Sequence, residues 1–170
     1  LYKMYGSSDY IGEDITQISH AIQSAKIAEK YLGISGYVGA FLHDIGHLIG
    51  LQNSNDTMDN YGTVDHEVIG AAYLRERNFP DRIVNMVLNH VEAKKELITI
   101  NELYSNALSV GSRKTLKFQN VNREIDNDDM KDALILRLCE DGAKKDINFT
   151  DNDIQQHLDE LKINIVECLE

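Results

Sequence analysis

"FLHDIGHLIG", residues 41 to 50, sets His43, Asp44 and His47 among Phe41, Leu42, Ile45, Leu48, Ile49 and two glycines. A buried imidazole or carboxylate without a partner is costly, so these three must be satisfied by the backbone, by one another or by a metal. On a continuous helix His43 and His47, four residues apart, share a face, and Asp44 lies about 100° round from His43. Two nitrogens and a carboxylate can then meet one ion. The alternative is a helix whose histidines bridge backbone carbonyls.

Composition sets the frame. The chain has 170 residues, one proline, no tryptophan and 42% hydrophobic residues, which fits one compact, mainly helical domain over 1–170. No stretch approaches the roughly 18 apolar residues of a membrane span. A net charge of −11 argues against a nucleic-acid or anionic-membrane surface, since such binding rests on clustered Lys and Arg. Any anion must be held by a local site. Cys139 and Cys168 form no C-x-x-C pair, so neither a disulfide framework nor a zinc ribbon is indicated, and a reducing, cytoplasmic setting is expected.

Periodicity predicts helices and little else. Ile15, Ile18, Ile22 and Ala25 form a helical stripe from about Glu13 to Leu32, with His20 and Ile27 on the opposite side, so this helix should be buried on two faces. Gly33 follows as a stop signal. A second helix should span about Ser35 to Ile49, and the polar "LQNSNDTMDNYGT" should be a loop. Further helices are expected at about Val64 to Arg77, in "DRIVNMVLNHVEAKKEL", at Lys131 to Lys145 and at Asn152 to Leu169. "NELYSNALSVGSRKTLKFQ", with Gly111 and its serines, reads as short helices joined by a loop.

The six histidines are His20, His43, His47, His66, His90 and His157. His157 lies in the polar "NDIQQHLDE" and reads as surface. The other five fall in four successive helices, each set among apolar neighbours. Helix bundles build metal centres in this way, with side chains from facing helices converging inward.

In that order, His20, His43-Asp44, His66, His90 and a late acid resemble the H…HD…H…H…D pattern of the HD-domain superfamily, over nearly the whole chain. The superfamily includes dinuclear phosphohydrolases and a small group of mixed-valence di-iron oxygenases. "YIGEDITQISH", with Tyr10, Glu13 and His20, resembles the opening of the phosphonate-cleaving oxygenases, relatives of myo-inositol oxygenase. There the tyrosine occupies an iron position at rest and the glutamate recognises a substrate amino group. The resemblance further implies that His47, Lys94, Ser112 and Thr115 hold the phosphonate oxygens. Lys94 stands one turn beyond His90, which suits an ammonium approaching a metal-bound anion. "KDALILRLCEDGAKKD" offers Glu140 and Asp141 as the last ligand; Asp141 is chosen, with Glu140 as the alternative. Arg137, four residues before Asp141, would then face the site as a second clamp.

The resemblance therefore implies an all-α HD-domain bundle with a buried dinuclear site and two iron ions, Fe(II)/Fe(III). Asp44 would bridge them, with His20, His43 and Asp141 on one and His66 and His90 on the other. Imidazole and carboxylate without thiolate suit iron or manganese as well as zinc. The implied activity is O2-dependent C–P cleavage of a small organophosphonate, with Tyr10, Asp44 and His47 at the reaction centre. Glu13, two turns before His20 on one helix, would reach the amine of 2-amino-1-hydroxyethylphosphonate, giving glycine and phosphate. A metal-dependent phosphohydrolase acting on a small phosphate ester or nucleotide is the alternative, and a binding module with a vestigial site is a third reading. The oligomeric state is not encoded in these features.

Overall fold

The computed structural model describes residues 1–10, 12–59, 61–119 and 123–170. After a short N-terminal turn, α1 (Tyr2–Tyr5), the chain enters the longest helix, α2 (Gln17–Leu42). Its start is set by Thr16, whose side chain accepts the Ser19 N–H at 3.3 Å. The predicted start near Glu13 is therefore early by a turn: Glu13 lies in the loop before the cap. Gly33 does leave the helical region, with φ 65° and ψ −153°, but the chain resumes helix at once, so the predicted stop becomes a kink.

The second predicted helix divides at the histidines. α2 ends at Leu42, Asp44 sits at φ −99° and ψ 12°, and α3 (Ile45–Asn53) begins beyond it. α4 (His66–Arg75) follows the polar loop, and Pro80 precedes α5 (Asp81–Ile100). α6 (Glu102–Ala107), α7 (Val110–Thr115) and a 3-10 turn (Leu116–Phe118) make up the broken segment. α8 (Asn127–Asp141) starts one turn earlier than its apolar pattern, because Asp126 caps it by accepting the Asp128 N–H at 2.9 Å. α9 (Asp151–Leu169) opens with a capping box between Thr150 and Asp153.

The described residues contain no strand, only two isolated bridges, so the all-α expectation holds. α5 packs against α8, α4 and α2, and α2 also packs against α8 and α9. Ile22, Ala25, Phe41, Val84, Val87 and Leu136 fill the space between them. Burial of α2 on two faces follows from this arrangement: Ile18 and Ile22 are buried, and so is His20 on the other side. α2, α4, α5 and α8 thus turn buried polar side chains toward a common point inside the bundle.

Candidate metal centre

The break between α2 and α3 builds the site. Asp44 leaves the helix and turns its carboxylate inward, within 4.0 Å of an Nε2 atom from each of five histidines. Its Oδ2 lies 3.1 Å from His43 and 4.0 Å from His20. Its Oδ1 lies 3.4 Å from His66 and 3.7 Å from both His90 and His47. One carboxylate therefore faces two groups of imidazoles with its two oxygens. His43 and His47 do not share one continuous helix, as the spacing suggested; the corner between them is what admits Asp44.

The imidazoles pair on either side of it. Nε2 of His20 and Nε2 of His43 are 3.3 Å apart, and those of His66 and His90 are 3.1 Å apart. Two nitrogens each about 2.1 Å from a common ion, at right angles, stand about 3 Å apart, so both pairs have the spacing of adjacent ligands. Their other nitrogens are tied back: Nδ1–H of His20 donates to the Ala143 carbonyl (2.9 Å), that of His43 to Ala40 (2.7 Å) and that of His90 to Val87 (2.7 Å). This tautomer leaves each Nε2 lone pair free for a metal and fixes the ring plane. His66 Nδ1 has no hydrogen-bond partner among the described residues, and the buried carboxylate of Glu67 stands 3.6 Å from it.

Electrostatics favour the neutral form at four of the five histidines. Burial and the neighbouring His43 push His20 down to about 3, and burial opposed by Asp44 leaves His47 at about 4. His66 and His90 are lowered as well, burial first. Burial works against a charged His43 too, but Asp44 and Glu140 outweigh it and hold its proton well above the usual range. That is the position at which a cation between these groups would replace the proton.

At the end of α8 the structure brings Glu140, not Asp141, to the histidines. Glu140 Oε2 lies 2.6 Å from His43 Nε2, and His20, His43 and Glu140 form one buried triad of donors. Asp141 points a helical step away, to Arg137, to Tyr104 Oη (2.6 Å) and toward Lys144 (3.9 Å). The structure thus places Glu140, the alternative, nearer the histidines than Asp141, and the reason is helix register: adjacent residues differ by about 100° in direction.

His47 stands apart from the other four. It stacks on His66 with centroids 3.9 Å apart and lies beside Asp44, which would suit a ligand. Its Nδ1, however, accepts the backbone N–H of Thr63 at 2.9 Å. The neutral ring then carries its proton on Nε2, making it a donor aimed at the centre.

A cleft opens on this cluster. It is lined by Tyr10, Glu13, His47, Lys94, Ser112, Thr115 and Arg137, all expected from the sequence, and has about 40 Å³ of free volume, a few water-sized groups at roughly 10–15 Å³ each. Tyr10 is stacked on His20 at 3.9 Å. Lys94 is buried and donates to Thr115 Oγ1 at 3.3 Å; burial, with Arg137 nearby, lowers it to about 7. Arg137 binds Glu140 and Asp141 and donates to Tyr104 Oη at 2.9 Å. Glu13 reaches the cleft from its loop, not from a helix face, and is paired with Lys144 at 3.3 Å. Sequence reasoning missed Gln119, whose buried Oε1 has no hydrogen-bond partner among the described residues, Lys144, and Glu67 behind His66. Only Glu67 carried a signal, as an acid adjacent to a candidate ligand.

A family model for the HD domain matches residues 17–130. The chain is 43% identical over 120 residues to the uncharacterised protein L432 of Acanthamoeba polyphaga mimivirus, a match covering 70% of this chain and 55% of that protein. It is 33% identical over 160 residues to the [1-hydroxy-2-(trimethylamino)ethyl]phosphonate dioxygenase (glycine-betaine-forming) of Leisingera caerulea, covering 85% and 77%. It is 32% identical over an alignment of 181 residues to the hydroxymethylphosphonate dioxygenase of Gimesia maris, covering 100% and 85%. The chain belongs to the HD-domain family. Within it, the similarity to two proteins named phosphonate dioxygenases supports the oxygenase kind. No helix among the described residues is long and apolar enough to cross a membrane.

Proposed function

We propose that the chain is a mixed-valence di-iron oxygenase that uses O2 to cleave the C–P bond of a small 1-hydroxyphosphonate. The observation that carries this reading is the carboxylate of Asp44 set between two imidazole pairs and opening on a small cleft that Lys94 and Arg137 line. The donors fit the group: His20, His43 and Glu140 would hold one iron, His66 and His90 the other, with Asp44 between them. The absence of thiolate and the open cleft suit iron that binds substrate and dioxygen. When bound, the iron pair supplies the activation of dioxygen and the change of oxidation state.

The chain's own residues do the rest. Lys94 and Arg137 supply positive charge for the phosphonate oxygens, and Ser112, Thr115 and Gln119 supply hydrogen bonds at the same wall. His47 holds its Nε2 proton toward the centre, where it can donate to a substrate oxygen. Tyr10, packed flat on His20, closes the side nearest the first triad. One O2 and one 1-hydroxyphosphonate dianion give a carboxylate, hydrogen phosphate and a proton, so the carbon and not the phosphorus is oxidised. For the substrate named by the resemblance, 2-amino-1-hydroxyethylphosphonate, the products are glycine and phosphate, and its amine would have to meet Glu13.

The test combines spectroscopy and product analysis. Iron-loaded, partly oxidised protein should show a coupled Fe(II)/Fe(III) resonance that changes on adding a 1-hydroxyphosphonate, and phosphate should be released only with O2. Anaerobic hydrolysis of phosphate esters, without that resonance, would overturn the oxygenase in favour of the hydrolase.

A further inference from the structure

Lys144 sits where a substrate's far end would lie, and the fold holds it there firmly. It follows α8 directly after Ala143, whose carbonyl receives His20 Nδ1–H at 2.9 Å. On its other side, Lys145 exchanges two hydrogen bonds with Gln23 of α2, N–H to Oε1 at 3.2 Å and Nε2–H to the carbonyl at 2.9 Å. The backbone carrying Lys144 is thus pinned at both ends to the helix that supplies His20.

The ammonium has three protons, and all three are engaged. Nζ lies 3.3 Å from Glu13 Oε1, 3.2 Å from Ser109 Oγ and 3.4 Å from Ser112 Oγ. Asp141 Oδ1 stands beyond at 3.9 Å. The Lys144 and Glu13 side chains are only 16% and 21% exposed, so the pair is partly shielded from water. Glu13 is the one acid of the cleft that is neither gathered with the metal-site histidines nor tied to Arg137, and an internal cation already neutralises it. A substrate ammonium arriving at Glu13 would meet a resident positive charge and would have to displace it.

Resting on the phosphonate reading above, we infer that Lys144 is a specificity residue: by occupying Glu13 it closes that carboxylate to ammonium-bearing substrates and selects 1-hydroxyphosphonates whose far end is uncharged. The resemblance that made Glu13 an amine reader gave no role to Lys144, whose ammonium changes what Glu13 can do. Removing Lys144 frees the carboxylate and should invert the preference.

Binding without turnover tests this. Iron-loaded wild type, Lys144→Gln and Lys144→Arg are titrated calorimetrically under nitrogen with 1-hydroxyethylphosphonate and with 2-amino-1-hydroxyethylphosphonate, which differ by the ammonium. Wild type should bind the neutral-tailed compound at least about tenfold more tightly, because like charges at short range repel in a shielded site. Lys144→Gln should shift the ratio by at least about tenfold toward the amine, and Lys144→Arg should keep the wild-type ratio. A wild type that prefers the amine, or a ratio unmoved in Lys144→Gln, overturns the inference and leaves the oxygenase intact. Failure of all three folded, iron-loaded proteins to bind either phosphonate overturns the phosphonate reading, and the inference falls with it.

Discussion

Glu140 presents Oε2 to Nε2 of His43 at 2.6 Å. Its neighbour Asp141 is engaged by Arg137 and Tyr104, so one helical step separates the proposed metal donor from the proposed phosphonate clamp. Glu140→Gln replaces a charged donor by a neutral amide and should lower iron content toward about one per chain. Asp141→Asn should leave iron content intact and raise KM for a phosphonate, because it loosens Arg137. Asp44→Ala removes the carboxylate shared by both groups, and both irons should be lost while helicity survives. Metal analysis of the three proteins checks the assignment; equal iron in Glu140→Gln and wild type would return the ligand role to Asp141.

His47 separates binding from chemistry. Because Nδ1 takes the Thr63 N–H, the ring offers a proton and not a lone pair to the centre. His47→Phe should therefore retain iron close to the wild-type level, keeping the stack on His66, while kcat falls by about 10²–10⁴ for loss of a positioned donor. Loss of iron from the second histidine pair would instead make His47 a ligand.

The sequence made the bundle and the histidine series legible for one reason: imidazoles embedded in apolar helices stand out wherever the helices begin and end. What it left open depends on register. Glu13 reads as helical when the stripe beginning at Ile15 is followed, yet Thr16 caps α2 and leaves Glu13 in a loop. Glu140 and Asp141 are equivalent as letters, and only the packing of α8 on α5 and α2 decides which faces inward. Gln119 lies just past a short 3-10 turn and Lys144 just past the end of α8, where periodicity carries no signal, and contacts far away in sequence bring them to the cleft.

Lys94 should show function held at the expense of stability. Its folded pKa of about 7 lies below the ordinary lysine value of 10.5 because the side chain is buried. Below pH 7 the group is charged in both states and the full burial cost is felt; between pH 7 and 10.5 the unfolded chain binds the extra proton, so wild-type stability rises with pH. In metal-free protein, Lys94→Met should therefore be stabilising, by about 2–4 kcal/mol near pH 6–7, with the gain fading toward pH 10. The same change should weaken phosphonate binding to the iron-loaded protein by about 1.5–3 kcal/mol, the value of a charge-assisted hydrogen bond. Denaturant melts across this pH range, beside binding titrations, check both signs; a destabilised Lys94→Met would show that the ammonium is well solvated in the fold.

Gly46 decides how closely α3 can approach α4. A Cβ at this position would stand 1.9 Å from the His66 carbonyl oxygen and 2.7 Å and 2.9 Å from its carbonyl carbon and Cα, all backbone atoms at the start of α4. Helix propensity alone would make Gly46→Ala stabilising by about 1 kcal/mol. The clash outweighs it, because no rotamer change can move a backbone carbonyl, and overpacking of this kind costs about 1–3 kcal/mol or more. Relief requires α4 to shift outward, and His66 moves with it, opening the 3.1 Å spacing to His90 that suits a shared ion. Gly46→Ala should therefore melt earlier and hold less iron at the His66–His90 pair. Gly142→Ala is the control: its Cβ meets nothing closer than 3.5 Å and its backbone is already helical, so melting and iron content should both stay near wild type. A Gly46→Ala protein with full iron and an unchanged melting temperature would mean that α3 and α4 are not held in this close contact.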